Sequence, residues 1–312
     1  MGTIASVSQG LKPGNGRRTI KEILRRPPQH WVGNGFHVYP VFANKAFTNE
    51  LSPFLMFDYA KPKHFEPTSQ RRGVGQHPHR GFETVSVAFQ GEVEHSDSVG
   101  NRDVIGPGDV QWMTAGRGII HEEFHSTEFA KRGGIFEFCQ LWVNLPQKDK
   151  MHAPRYQPIT AKDIPSARLL SEGGTESVDL GNGEVRVISG NFNGVKGAAQ
   201  TFSQVEVWDV IIEKPNTLFS FPVIASNNII VFVREGNVEV EGQTLSPQDV
   251  AITNTGGLLL NLKAVGDVGC KVLILGGEPL NEPIAARGPF VMNTQNELAQ
   301  AMDDFHSGKL GK

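Results

Sequence analysis

His77 and His79 stand two positions apart in "GQHPHRGFET", and His121 and Glu123 repeat that spacing in "GRGIIHEEFH". Residues two apart on a β-strand point to the same face, so each pair would present two metal-binding side chains together. Two such pairs on neighbouring strands can converge inside a barrel, where three neutral imidazoles and a carboxylate form a transition-metal site. A lone His-x-His pair is as easily a hydrogen-bonded surface feature. Two same-face pairs, each beside glycine turns, favour the metal reading. Counted by twos from His79, the same parity reaches Glu83, Val85, Val87 and Phe89, so spacing alone leaves Glu83 as well as Glu123 available as the acid. Gln90-Gly91 reads as a tight hairpin loop, and a two-residue loop would turn Glu94 rather than His95 inward. His95, His125 and His152 have no evident same-face partner and are expected at the surface or behind the ligands.

Such pairs need short strands and sharp turns to carry them, and the composition is rich in both. The chain of 312 residues has 35 glycines, 19 prolines and only 20% charged residues, which favours an all-β protein of two units. Strand-and-turn texture begins near "GFHVYPVF" and pauses at the polar, proline-bearing stretch 144–160, which reads as a linker. "GEVEH" followed by "GPGDV" in the first half is echoed by "GNVEV" followed by "SPQDV" in the second, as two copies of one barrel would leave. Thr19 with Glu22 makes a capping box ahead of "IKEILRR" and predicts a short helix stopped by Pro27 and Pro28. Thr294 with Glu297 makes another, and Leu298, Ala301, Met302 and Phe305 give the final helix an apolar face. The expected division is an extension over 1–28, a metal-binding barrel over 29–150, a metal-free barrel over 160–280 and a tail with its helix over 281–312. Five of ten histidines fall between residues 77 and 125 and none between 153 and 305, so imidazole chemistry belongs to the first barrel.

A formal net charge of -3 gives no overall attraction to nucleic acid or anionic membrane. The first 26 residues are locally basic, with Lys12, Arg17, Arg18, Lys21, Arg25 and Arg26 against Glu22. No apolar run approaches the length of a membrane span, and the expected setting is the cytoplasm, or also the nucleus in a eukaryote. Cys139 and Cys270 are expected as separate buried thiols rather than a disulfide.

"SPFLMFD", "HPHRGFET", "GDVQWMTAGRGIIHEE", "QLWVNLP" and "GPFVMNT" occur in an order that resembles the pirin family of the cupin superfamily, over nearly all the chain after about residue 30. The resemblance implies a bicupin, two double-stranded β-helix (jelly-roll) barrels face to face, with metal only in the first. Carried over residue by residue, it puts the ligands at His77, His79, His121 and Glu123, and leaves Glu83 to orient a ligand imidazole. Fe(II) is the metal it implies, while imidazole and carboxylate ligands also suit Mn, Ni, Co, Cu or Zn. A closed structural zinc site would more usually contain sulfur, and no cysteine accompanies these histidines. The implied activity is that of a quercetin 2,3-dioxygenase. A flavonol and O2 react, Glu123 accepts the 3-hydroxyl proton, and ring opening releases carbon monoxide and a depside. Val85, Val87 and Phe89 are candidate walls for the flat substrate, though equally ordinary barrel core. The competing function is a non-enzymatic, iron-dependent redox sensor that regulates transcription through a protein partner.

Overall fold

The computed structural model describes residues 16–170 and 181–312; Lys12 of the basic N-terminal stretch lies outside them. Thr19 leads into a strand, β1 (Ile20–Leu24). The first barrel follows with β2 (His30–Val32), β3 (Phe36–Pro40), β4 (Phe54–Phe65), β5 (Gly73–His79), β6 (Phe82–Gln90), β7 (Val93–Asp97), β8 (Arg102–Ile105), β9 (Val110–Thr114), β10 (Ile119–His125), β11 (Gly134–Asn144) and β12 (Arg155–Ile159). A seven-stranded sheet in the order β12-β9-β6-β11-β4-β3-β2 faces a four-stranded sheet in the order β5-β10-β7-β8.

The second barrel repeats this plan. Its larger sheet runs from β1 through Val250–Thr253, Asn228–Glu235, Cys270–Gly277, Val205–Ile212 and Gly183–Ser189 to Ser166–Arg168. Its smaller sheet runs Leu218–Pro222, Leu259–Val265, Asn237–Val240, Gln243–Leu245. The sequence echo marks equivalent turns. Asp109 accepts from the Gly106 amide at 2.9 Å, and Asp249 accepts from the Ser246 amide at 3.0 Å. The residue before each aspartate, Gly108 or Gln248, has positive φ and donates its amide to Ala88 or Val233.

The N-terminal helix expected from the capping box is instead β1, antiparallel to Val250–Thr253. Ile20, Ile23 and Leu24 fit a helical stripe, but an open strand edge of the second barrel supplies the backbone partners that a two-turn helix would need to find within itself. The basic residues there dock within the chain. Buried Arg18 donates to the carbonyls of Asn254 and Ile224, and Arg25 pairs with Asp249. The stretch 144–160 contains β12, which edges the first barrel against β9. The final helix, Gln295–His306, has the capping box on Thr294; Leu298 and Ala301 are buried beside Phe290 and Leu310, while Phe305 remains partly exposed.

The barrels pack across their larger sheets. One continuous apolar cluster joins Tyr59, Val85, Val87, Trp112 and Leu141 of the first to Val207, Ile230, Phe232 and Leu273 of the second. Both cysteines are free and buried, and no helix among the described residues is long and apolar enough to cross a membrane.

Candidate metal centre

β5 supplies His77 and His79, and β10 supplies His121 and Glu123. His121 lies directly across from His77 in the ladder, and a register shift follows before Glu123. Ring centroids are 4.3 Å apart for His77 and His121, and 4.8 Å for each of these with His79. His79, His121 and Glu123 are 2%, 1% and 3% exposed. Two triads of potential ligand atoms result, His77/His79/His121 and His95/His121/Glu123, each within 4.8 Å. They share His121.

Each of the three histidines of the first triad has its Nδ1 engaged. His77 Nδ1 lies 2.8 Å from the Gly75 carbonyl, His79 Nδ1 3.4 Å from that of Pro289, and His121 Nδ1 3.4 Å from His95 Nδ1. His95 in turn receives the Gln111 amide at 3.0 Å and donates through Nε2 to Asp97 at 3.1 Å. Burial raises the Asp97 carboxyl, but hydrogen bonds from His95 and Asn101 outweigh it and hold it below the usual range. Donation from Nδ1 to the Gly75 and Pro289 carbonyls leaves Nε2 of His77 and His79 as lone pairs, and Nε2 of both His79 and His121 is buried with no partner. Burial, with His77 nearby, lowers His79 to about 3, and burial with its neighbouring histidines holds His121 well below its ordinary value. Neutral imidazoles with orphaned nitrogens beside a carboxylate fit a divalent transition metal.

The centre opens into a pocket of about 250 Å³ walled by Phe36, Val38, Met56, Phe138 and Trp142, with Gly288 and Pro289 of the C-terminal segment at its edge. Asp58 and Gln140 also line it, and burial pushes Asp58 up to about 7. Ser86 donates to Glu123 at 3.2 Å. The spacing of the histidines did not reveal Asp58 or Gln140; their only signal is a polar residue within the apolar strands "SPFLMFD" and "QLWVNLP". Lys150, in the stretch read as linker, is buried and donates to the carbonyls of Gly81 and Val291 at 2.7 and 3.1 Å, tying the turn after His79 to the C-terminal segment.

Several sequence expectations are corrected here. The parity from His79 to Phe89 breaks at Arg80-Gly81, where Gly81 has φ +89° and the chain passes from the four-stranded to the seven-stranded sheet. Val85, Val87 and Phe89 therefore face the second barrel, Phe89 stacking on Arg234 at 3.3 Å, and none walls the pocket. Glu83 accepts from Thr114 at 2.7 Å and has no hydrogen bond to an imidazole; burial raises it to about 7 despite the Thr114 bond. β6 and β7 join different sheets rather than pairing as a hairpin, so His95, not Glu94, turns inward. His125 is packed among Phe36, Phe65 and Phe136, while His152 is exposed against Phe202.

Comparison with known proteins agrees with this architecture. The sequence matches the family Pirin over residues 35–143 and the Pirin C-terminal cupin domain over residues 207–311. The chain belongs to the pirin family. It is 46% identical over 281 residues, 90% of this chain and 94% of the other, to a Pseudomonas aeruginosa protein named "Putative quercetin 2,3-dioxygenase". Mouse pirin is 35% identical, with 84% of this chain and 83% of that protein aligned. The crystal structure of quercetin 2,3-dioxygenase from Acinetobacter baumannii superposes with TM-score 0.88 at 46% identity, covering 95% of this chain and 99% of that one. Within this pirin, strand register sets the second-barrel positions Phe221, Val223, Leu260 and Leu262 against His77, His79, His121 and Glu123. All four are buried and apolar, so the second barrel offers no ligand atom at the positions where the first gathers its imidazoles.

Proposed function

We propose that His77, His79, His121 and Glu123 hold one divalent transition metal, Fe(II) foremost, and that the protein cleaves a flavonol such as quercetin with O2, releasing carbon monoxide and a depside. The observation that carries this reading is the pair of buried, partnerless Nε2 atoms beside a carboxylate at the base of an apolar pocket. The dioxygenase names of relatives at 46% identity support it. The metal, when bound, acidifies a hydroxyl in contact with it and mediates electron flow from substrate to dioxygen.

The chain's own groups do the rest. Phe36, Phe138 and Trp142 hold a flat aromatic ring and keep water from the base of the pocket. Glu123, steadied by Ser86, accepts the proton of the 3-hydroxyl. The hydrogen bonds to Gly75, Pro289 and His95 fix the ring orientations. Anaerobically iron-loaded protein given quercetin and air should consume oxygen and release carbon monoxide, and His77→Ala and Glu123→Ala should each abolish that turnover. Full turnover in both variants would remove the mechanism. Redox-dependent capture of a protein partner without turnover would favour the regulator instead.

A further inference from the structure

Four polar side chains stand in register across the larger sheet of the first barrel. Asp58 of β4 lies opposite Gln140 of β11, Gln140 opposite Ser86 of β6, and Ser86 opposite Gln111 of β9. All four are on the inner face, toward the smaller sheet that supplies the histidines: Asp58 and Gln140 line the pocket, Ser86 donates to Glu123, and Gln111 donates to His95. Ser86 and Gln111 are buried and already engaged with the metal centre. Asp58 and Gln140 are free to do something else.

Both are partly exposed, and the surface they expose belongs to the pocket. Gln140 has its Oε1 3.4 Å from Ser86 Oγ, which leaves its amide nitrogen without a partner among the described residues. Asp58 makes neither a hydrogen bond nor an ion pair among the described residues, and burial is the one influence on its carboxyl. The setting is otherwise apolar. Along the strands, Met56 and Trp142 lie on one side of the pair and Phe138 on the other. A few polar groups placed among apolar walls are what fixes the orientation of a ligand in such pockets, and a polar group turned away from water is costly until a partner meets it.

We propose that Asp58 and Gln140 form a specificity-determining pair that takes a second hydroxyl of the substrate, one on the side of the ring system turned away from the metal ligands, with that hydroxyl donating to the Asp58 carboxyl and accepting from the Gln140 amide. A phenolic hydroxyl meets both groups because it can donate and accept. An ammonium would satisfy the carboxyl but not the amide donor. The inference deepens the flavonol reading and rests on it for the ligand: it narrows the substrate to aromatic molecules with a hydroxyl beyond the one at the metal. A site built to bond a hydroxyl discriminates strongly against an analogue that lacks it, since the analogue leaves the site's polar groups unpaired.

Anaerobic titration of the full iron-loaded chain with quercetin and with 3-hydroxyflavone, which has only the hydroxyl beside the reacting carbonyl, tests it, the absorption of the bound flavonol giving each Kd. The parent should prefer quercetin about tenfold or more. Asp58→Leu should remove most of that preference and Gln140→Met should cut it about fivefold; melting curves and iron content confirm that each variant is native, and the parent's preference needs no variant at all. Equal affinity for the two flavonols in the parent, or a preference unchanged in either variant that folds, would overturn the proposal even if quercetin is turned over. Preference with the stated losses, but no oxygen uptake when air is admitted, would uphold it and remove the dioxygenase assignment instead. Absence of saturable quercetin binding would overturn both.

Discussion

His121 is held by its cross-strand neighbour His77 on one side and by His95, itself anchored on Asp97, on the other. The i, i+2 spacing paired His77 with His79 and His121 with Glu123, because a strand's alternation is local and survives without tertiary information, but it left Glu83 open as the acid. His95 was not legible as an inward residue, since its orientation depends on β6 and β7 entering different sheets. Asp58 was missed because a single carboxylate in an apolar run has no periodic signature, and only the folded pocket shows that it is buried. Its titration makes a prediction. A carboxyl whose folded pKa, about 7, exceeds its ordinary 3.8 stabilises the fold while protonated; that contribution is complete at low pH and is lost as pH rises through about 7. Asp58→Asn stays neutral throughout, so in metal-free protein it should be more stable than the parent by ~2 kcal/mol near pH 8, after discounting for partial exposure. The gap should close toward roughly pH 4. Denaturant melts across that range check it, and a gap independent of pH contradicts the assignment.

Among the elements, the Arg80-Gly81 turn decides which face each strand presents. A Cβ on Gly81 would come 2.0 Å from the Val291 carbonyl, which Lys150 also engages. Gly81→Ala should therefore cost about 1–3 kcal/mol through positive φ and close approach, and should loosen the segment whose Pro289 carbonyl receives His79. Urea unfolding measures the first effect and metal retention under a chelator the second; a variant unchanged in both would show that the turn does not position His79. The element-level reading succeeded where sequence and environment agree, as in the C-terminal capping box on Thr294. It failed at β1, where a capping box and helical spacing coincide by chance and a distant strand edge sets the conformation. Propensity was overruled there by pairing that no local window contains.

At the scale of the whole molecule, the repeat of Gly-x-Val-Glu and Asp-Val turns disclosed two like barrels, and the histidine census disclosed which of them gathers the imidazoles. How they dock was not legible, because the interface alternates with each barrel's interior on the same strands: Thr84 and Ser86 lie on one face of β6, Val85 and Val87 on the other. Charged residues also cross the interface. Arg234 of the second barrel bonds Glu137 of the first at 2.9 Å and Asp209 of its own at 2.9 Å, and Tyr59 donates to Glu137 at 2.7 Å. Arg234→Met would leave buried Glu137 without its cation, while Asp209 keeps Arg186 at 3.0 Å, and is expected to destabilise the protein by about 3–5 kcal/mol. An unfolding curve matching the parent would mean that apolar packing alone holds the barrels together. The convergence of three imidazoles and a carboxylate is most directly tested by anomalous diffraction at the iron edge from an Fe(II)-loaded crystal. A single peak about 2.0–2.3 Å from Nε2 of His77, His79 and His121 and from the Glu123 carboxylate is predicted, whereas no peak there, or one ligated by His95 in place of His77 and His79, would contradict it.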